Sequence, residues 1–484
     1  MRNIICFLLF AAILVNFPVF AASEAKPEHI PLVFEQYISV LNSSTTYRPL
    51  QPIPAIPATV PLTISKIEAQ EDVVTLRYLF ETGYSGKDYW QRHGVNFPGM
   101  FAELEQYASS SNRVSVIGIE DIVSKYLALV CDGHLSMKGL KSYRFFKHQN
   151  AWFADVLLEH QGNSFCVIYS IVPELPVGSL VQVDKKNLFP TLSPTGKQHF
   201  LVGVLSAEVP ANVPISTAKV GIVKLPLHSC RLDAFDFVDS PIFSCEAVEG
   251  IPILRVSSFA MKYDTDLSKF LNSALTIKEK PVIILNILGN HGGSEEYPST
   301  WLQNLNGYFR NSFSRAELYS PPIIESYAIL DLKTAPLPMV DNIKWTREYL
   351  PKMKTTPKVF WTYGCYSESQ QVGTYPGKLF VLANRNTGSA GDMTVAFSRG
   401  VKNCFVVGEN TAGIGVFANV HHYILPNSKI QFNLPSQLVV EPSFQEGQGY
   451  MPDFWLDTRE PIPELIRWAS SPDDYQFRNS ADRR

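Results

Sequence analysis

The sequence predicts an α/β protein, and three successive textures along its 484 residues lead to that reading. A helical stretch comes first, a β-rich stretch follows, and from Ile251 strands alternate with helices. Continuous apolar strands alternating with helices mark a buried, mostly parallel sheet.

The helical stretch starts near Ser65, with helices expected over Val73–Glu81, Phe97–Ala108 and Ile119–Val130. In the last, Ile119, Ile122, Val123, Tyr126, Leu127 and Val130 keep the three-four spacing of one buried face. It is expected to stop at Cys131-Asp132-Gly133-His134, with Gly133 as a C-terminal cap. Between about 150 and 250 lie the short β-rich runs FCVIYSIV, SLVQV, HFLVGVLSA and KVGIVKL, a separate module. Beyond it come ILRVSSF, a helix near Asp266–Leu275, the apolar strand PVIILNIL, the strand KLFVLAN, a helix from about Gly391, and CFVVG.

The predicted organisation is therefore a signal segment at 1–21, an extended proline-rich segment at 22–64, a helical domain at 65–149, a β-rich module at 150–250 and an α/β domain at 251–484. The signal reading rests on Arg2, the apolar run Ile4–Val15 and small residues at Ala21-Ala22-Ser23. The run is too short to span a bilayer and is broken by Asn16 and Pro18, so an exported chain is expected, periplasmic or secreted. Pro49, Pro52, Pro54, Pro57 and Pro61 make the next segment a polyproline strap.

With 45% hydrophobic and 18% charged residues the chain is neither disordered nor fibrous. Its 42 basic and 45 acidic residues form no block of one sign, which argues against a nucleic-acid partner. Beyond Cys6, the six cysteines include no CxxC pair, so zinc-ribbon and thioredoxin chemistry drop out. Cys230 and Cys245 are expected to form a disulfide, against the alternative of buried free thiols.

Three segments can carry chemistry. Asn384-Arg385-Asn386-Thr387-Gly388-Ser389-Ala390-Gly391-Asp392 leaves a strand and enters a helix, where converging N–H groups suit an alkoxide and an oxyanion. The plain alternative is a capping box of Ser389 and Asp392. Gly289-Asn290-His291-Gly292-Gly293 follows an apolar strand, and its glycines let backbone approach a ligand. It lacks the Lys-Ser/Thr of a phosphate loop. Asp132-Gly133-His134 alone reads as a helix end. No H-E-x-x-H occurs, and adjacent His421 and His422 on one strand face opposite ways, so neither a metal nor another cofactor is expected.

Taken in chain order, CDGHL at 131–135, GNHGG at 289–293, NTGSAGD at 386–392, and GENTAG, LPN and EGQGYMPD at 408–413, 425–427 and 446–453 resemble the tail-specific, carboxyl-terminal-processing serine peptidases, nearer their tricorn-like and retinoid-binding-protein-like branch. The resemblance implies a crotonase-like spiral ββα peptidase domain and a peptide or protein substrate. It also implies Ser389 as nucleophile, His134 as base, Glu446 as orienter, and Gly292 or Gly293 with Ala390 as oxyanion hole. The lysine of the Ser-Lys branch would fall near Ile414, and the nearest lysines are Lys402 and Lys429. Departures are Asn286-Ile287-Leu288 for the usual Asp-Leu-Arg, Asp392 for a Glu, and Gly133 where tricorn has a serine. No peptide-binding PDZ loop is recognisable at 150–250. The rival reading is a non-catalytic protein that binds peptides or lipids on the same fold. Sequence leaves the oligomeric state open.

Overall fold

The computed structural model describes residues 29–40, 42–51, 59–191, 199–234, 241–329, 337–364 and 373–469. The expected signal segment, part of the proline strap and Cys365 lie outside them.

The structure is mixed α/β. Helices Lys66–Gly83, Phe97–Ser109 and Val116–Leu127 realise the predicted helical stretch, with a short additional helix at Lys87–Arg92. Ser65 starts the first through a capping box: its hydroxyl accepts from the Glu68 amide at 3.3 Å, and its amide donates to the Glu68 carboxylate at 2.7 Å. Buried Asp72 on this helix accepts from the amides of Asn427 (2.9 Å) and Ser428 (2.7 Å), fastening the helix to the C-terminal part of the chain.

Gly133 is not the helix cap that the sequence suggested. The helix ends earlier, at Leu127, with Ala128 in the ordinary right-handed conformation. Gly133 is instead required by packing, because a Cβ there would lie 2.5 Å from the Ile414 side chain.

Two large sheets organise the rest. In the fourteen-stranded sheet, Ile251–Val256, Val282–Asn286, Lys378–Ala383, Cys404–Gly408 and Phe454–Trp455 run parallel, with Phe243–Val248 antiparallel at one edge. Lys378–Ala383 is buried apart from its first residue, as a strand covered on both faces must be. The strands of the 150–250 stretch continue this sheet, joined where Thr191 pairs with Trp455. Helices Asp264–Ile277 and Glu296–Asn306 pack against each other, with Phe270 stacked on Trp301 at 5.3 Å. The second, seven-stranded sheet takes Asn42–Ser44, Lys358–Gly364, Ser314–Tyr319, Gln431–Val440, Ser136–Lys138 and Ser142–Arg144 in that order, with Phe417–Ile424 also paired to Gln431–Val440. On that strand His421 is buried and His422 exposed, on opposite faces.

The expected disulfide is absent. Cys230 is buried with its thiol on the Leu456 carbonyl at 3.3 Å, while Cys245 is a free, exposed thiol on the edge strand Phe243–Val248. Cys230 was drawn into the apolar core rather than toward the edge, which is where burial of a small thiol favours it.

Candidate functional site

The nucleophile candidate lies where the strand Lys378–Ala383 ends and the helix Ala390–Ser398 begins. Two loops are laced together there. Thr387 donates its hydroxyl to the Ile287 carbonyl at 2.8 Å, and Gly388 donates its amide to the Asn290 carbonyl at 2.9 Å. Asn384 accepts from the Gly289 amide at 3.0 Å, and Asn290 donates to the Val256 carbonyl at 3.0 Å. Parallel neighbouring strands thus deliver residues 287–293 and 384–390 to one place.

Ser389 has φ 57° and ψ −120°, in a region that residues other than glycine rarely occupy. Such backbones persist only where surrounding contacts over-determine them, and they cluster at functional turns. Here the Ser389 amide donates to the Asp392 carboxylate at 2.8 Å, and the same carboxylate accepts from the amides of Gly413 and Ile414, each at 3.0 Å. Asp392 therefore does cap its helix, as the plain reading had it, and also ties the turn to the 411–414 segment. Burial pushes its carboxyl up to about 7 despite these bonds.

The Ser389 hydroxyl faces His134, with Oγ 3.2 Å from Nε2. His134 comes from the other sheet, two residues before the strand Ser136–Lys138. Its Nδ1 lies 2.5 Å from the Phe417 carbonyl oxygen. A carbonyl only accepts, so Nδ1 carries the proton and Nε2 presents its lone pair to the serine. Burial is the main cause that lowers the His134 pKa below 6.5, with the charge of Arg144 acting the same way. The ring is thus neutral at pH 7.

Glu446 reaches this site but not the imidazole. One carboxylate oxygen accepts from the Gly133 amide at 3.0 Å, and the other accepts from Gly415 at 3.0 Å and Val416 at 2.8 Å. It holds the residue preceding His134 and the residue preceding Phe417, which differs from the ring contact the resemblance implied. Buried Asp132 completes the clamp, accepting from the amides of His134 (2.9 Å) and Leu135 (3.0 Å) and from the Tyr84 hydroxyl (2.9 Å). Burial pushes Asp132 up to about 7. Burial first, and then the charge of Asp132, hold Glu446 well above the usual carboxylate range.

The glycine loop packs on the serine. A Cβ on Gly292, whose φ is +91°, would lie 2.6 Å from the Ser389 Cβ and 2.8 Å from the Ala390 nitrogen. The Gly292 amide is turned away and donates to the Asn290 side chain at 2.9 Å. Ala390 follows the serine directly, and Gly293 follows the Gly292 that packs on it and lies against the backbone of Phe259 and Ala260. No group of three or more His, Cys, Asp or Glu that could hold a metal ion occurs among the described residues.

The groups that the sequence reading did not assign to the site are the Asp132 carboxylate and the Phe417 carbonyl. A backbone acceptor has no signal in residue type.

A serine hydroxyl set against an imidazole at a strand-to-helix turn is an arrangement through which a serine hydrolase can work. Residues 250–455 match the model of peptidase family S41, a match that supports a serine peptidase of the carboxyl-terminal-processing kind. The chain is similar to mature CPAF at 14% identity and a TM-score of 0.44, over 85% of this chain and 95% of that one. A peptidase from Parabacteroides merdae is similar at 13% identity and a TM-score of 0.42, over 85% and 98%. The photosystem II D1 C-terminal processing protease follows at 12% identity and 0.37, over 83% and 96%. Among curated proteins none matches this chain.

Proposed function

We propose that the protein is an exported serine endopeptidase that works through Ser389, on a crotonase-like peptidase domain, and His134, which the preceding helical part of the chain supplies. Ser389 gives its proton to His134 Nε2 as its oxygen attacks the peptide carbonyl. The amides of Gly293 and Ala390 receive the oxyanion, and the imidazolium then protonates the leaving amine. Water hydrolyses the resulting acyl-enzyme with His134 again as base. In this reading the Phe417 carbonyl, rather than a carboxylate, fixes the tautomer, and Glu446 is a positioning residue. Export rests on the N-terminal segment 1–21, with its single positive charge and short apolar run.

The observation that carries the proposal is the 3.2 Å approach of Ser389 Oγ to His134 Nε2, across 255 positions of sequence. A fluorophosphonate probe tests it, because such a probe reacts with an activated serine and not with a capping one. Covalent labelling at Ser389, lost in His134→Ala, is the expected result. An unlabelled wild-type protein would favour the binding protein on the same fold.

A further inference from the structure

The carbonyl that orients His134 belongs to Phe417, and two residues further along the same strand the backbone leaves ordinary strand geometry. Asn419, an exposed residue, has φ 54°, although the pairing of Phe417–Ile424 with Gln431–Val440 keeps one register on either side of it. Ala418 stands opposite Gln437, and Val420 opposite Pro435. A residue other than glycine keeps such a backbone only where its surroundings fix it. The fixing group here is Glu317, on the strand Ser314–Tyr319. The Asn419 side-chain amide donates to both oxygens of the Glu317 carboxylate, at 3.0 and 3.1 Å. The Gln437 side-chain amide donates to it as well, at 2.6 Å. The Ser436 hydroxyl lies 3.4 Å from the same carboxylate, 3.3 Å from the Asn419 carbonyl and 2.9 Å from Nε2 of buried His421. Glu317 itself is firmly seated. Its strand is in register with the other two, Ala316 facing Leu438 and Leu438 facing Phe417. Arg315, two residues earlier on the same face, is bidentate on Glu295 at 2.5 and 2.9 Å.

The φ and ψ of Asn419 fix how the peptide groups that precede it are turned, and the Phe417 carbonyl belongs to the second of them. We propose that Glu317 is a positioning residue: by holding Asn419 in its left-handed conformation it aims the Phe417 carbonyl at His134 Nδ1, and so keeps Nε2 directed at Ser389. Its consequence for turnover rests on the peptidase reading above. The aim of the carbonyl is a matter of geometry and can be read without turnover.

Proton NMR of the full chain reads the orienting bond directly, through the downfield imidazole N–H signal that His134→Ala deletes, and an internally quenched peptide reads turnover. Asn419→Gly leaves the left-handed backbone open to the chain and removes only the side chain that Glu317 holds. It should lose the His134 signal to exchange with water and lower kcat by about 10- to 100-fold with KM little changed, the cost of a misaimed base. Glu317→Gln, which places an amide where three donors converge, should do the same. The double variant Glu317→Gln with Asn419→Asp exchanges donor and acceptor across the pair, and Asp tolerates the left-handed conformation. It should recover both readings toward wild type. A Glu317 that only holds strands together would lower the melting temperature in these variants and leave the signal and kcat of the folded protein where they were. An unchanged signal or an unchanged kcat in Asn419→Gly, a double variant that recovers neither, or a wild-type protein without the His134 signal overturns the proposal and leaves the peptidase reading intact. Should the wild-type protein cleave no peptide, the peptidase reading fails and the NMR series decides alone. A signal lost in Asn419→Gly and regained in the double variant then supports the positioning role, and any other pattern overturns it.

Discussion

The Nδ1 of His134 is satisfied by the main-chain carbonyl of Phe417, 2.5 Å away, and not by an acidic side chain. A carbonyl fixes the tautomer as firmly as a carboxylate does, but it gives the imidazolium less charge stabilisation. The orientation of this imidazole is therefore set by where a strand runs, and burial lowers its pKa.

Ser389→Ala should lower kcat/KM by about 10⁴-fold or more, the scale seen when a nucleophile of this type is removed. Its melting temperature should stay within a few degrees, because the 2.8 Å bond to Asp392 comes from the Ser389 amide and survives the change. Circular dichroism melts beside a peptide-cleavage assay check both. Persistent turnover would remove Ser389 from the chemistry.

For the proposed base, a carboxylate such as Glu446 on the ring would raise its pKa. The structure reverses the sign, since burial lowers His134 below 6.5. A base acts when neutral, so the acid limb of kcat/KM should be centred on the acid side of a free imidazole. His134→Ala should abolish both the limb and nearly all turnover, whereas Lys402→Ala and Lys429→Ala leave the rate largely intact. An acid limb centred above pH 7, or a dead lysine variant, contradicts this.

Glu446→Gln replaces two acceptor oxygens by one, and leaves an amide group facing N–H donors. One or more of the Gly133, Gly415 and Val416 amides then lacks its acceptor, at a cost of about 1–3 kcal/mol. We expect kcat to fall by about 10- to 100-fold with KM little changed, clearly less than in His134→Ala. Losses of equal size in steady-state kinetics would mean that Glu446 acts on the ring itself.

The proton held by Asp132 also gives a stability signature. Its folded pKa is raised from 3.8 to about 7, so the folded state keeps a proton that the unfolded chain releases. The associated stability is fully present below pH 3.8 and is lost as pH rises through about 7. In Asp132→Asn one oxygen can still accept from His134 and Leu135, which share Oδ1, so this pH slope should flatten without collapse of the fold. Denaturant midpoints at pH 5 and pH 8 measure it. A slope unchanged in the variant would assign the proton elsewhere.

Gly292→Ala should inactivate the protein by at least about 100-fold. The added methyl group would meet the Ser389 Cβ at 2.6 Å, in a backbone with φ +91°. The serine turn or the glycine loop must then shift, and either movement displaces Ser389 relative to the Gly293 and Ala390 amides. Retention of wild-type labelling by a fluorophosphonate would show that the two loops are less tightly apposed.

Much of this site could be read from residue order. Ser389 stands at a strand-to-helix turn because an apolar run ends at Ala383 and a helix begins at Ala390, and both are local signals of periodicity. His134 and Glu446 came from ordered motifs, and the structure brings all three segments to one place. What sequence could not decide is which atoms meet there. The Phe417 carbonyl, the turning of Glu446 onto three amides, the occupied Gly292 amide, the separation of Cys230 from Cys245, and the packing of Gly133 on Ile414 are set by the folded chain and not by residue type. Backbone groups are the same at every residue, and a contact across 255 positions is set only when both sheets have packed. The sequence determined which side chains were available for chemistry, and the tertiary structure decided which main-chain groups hold them in place.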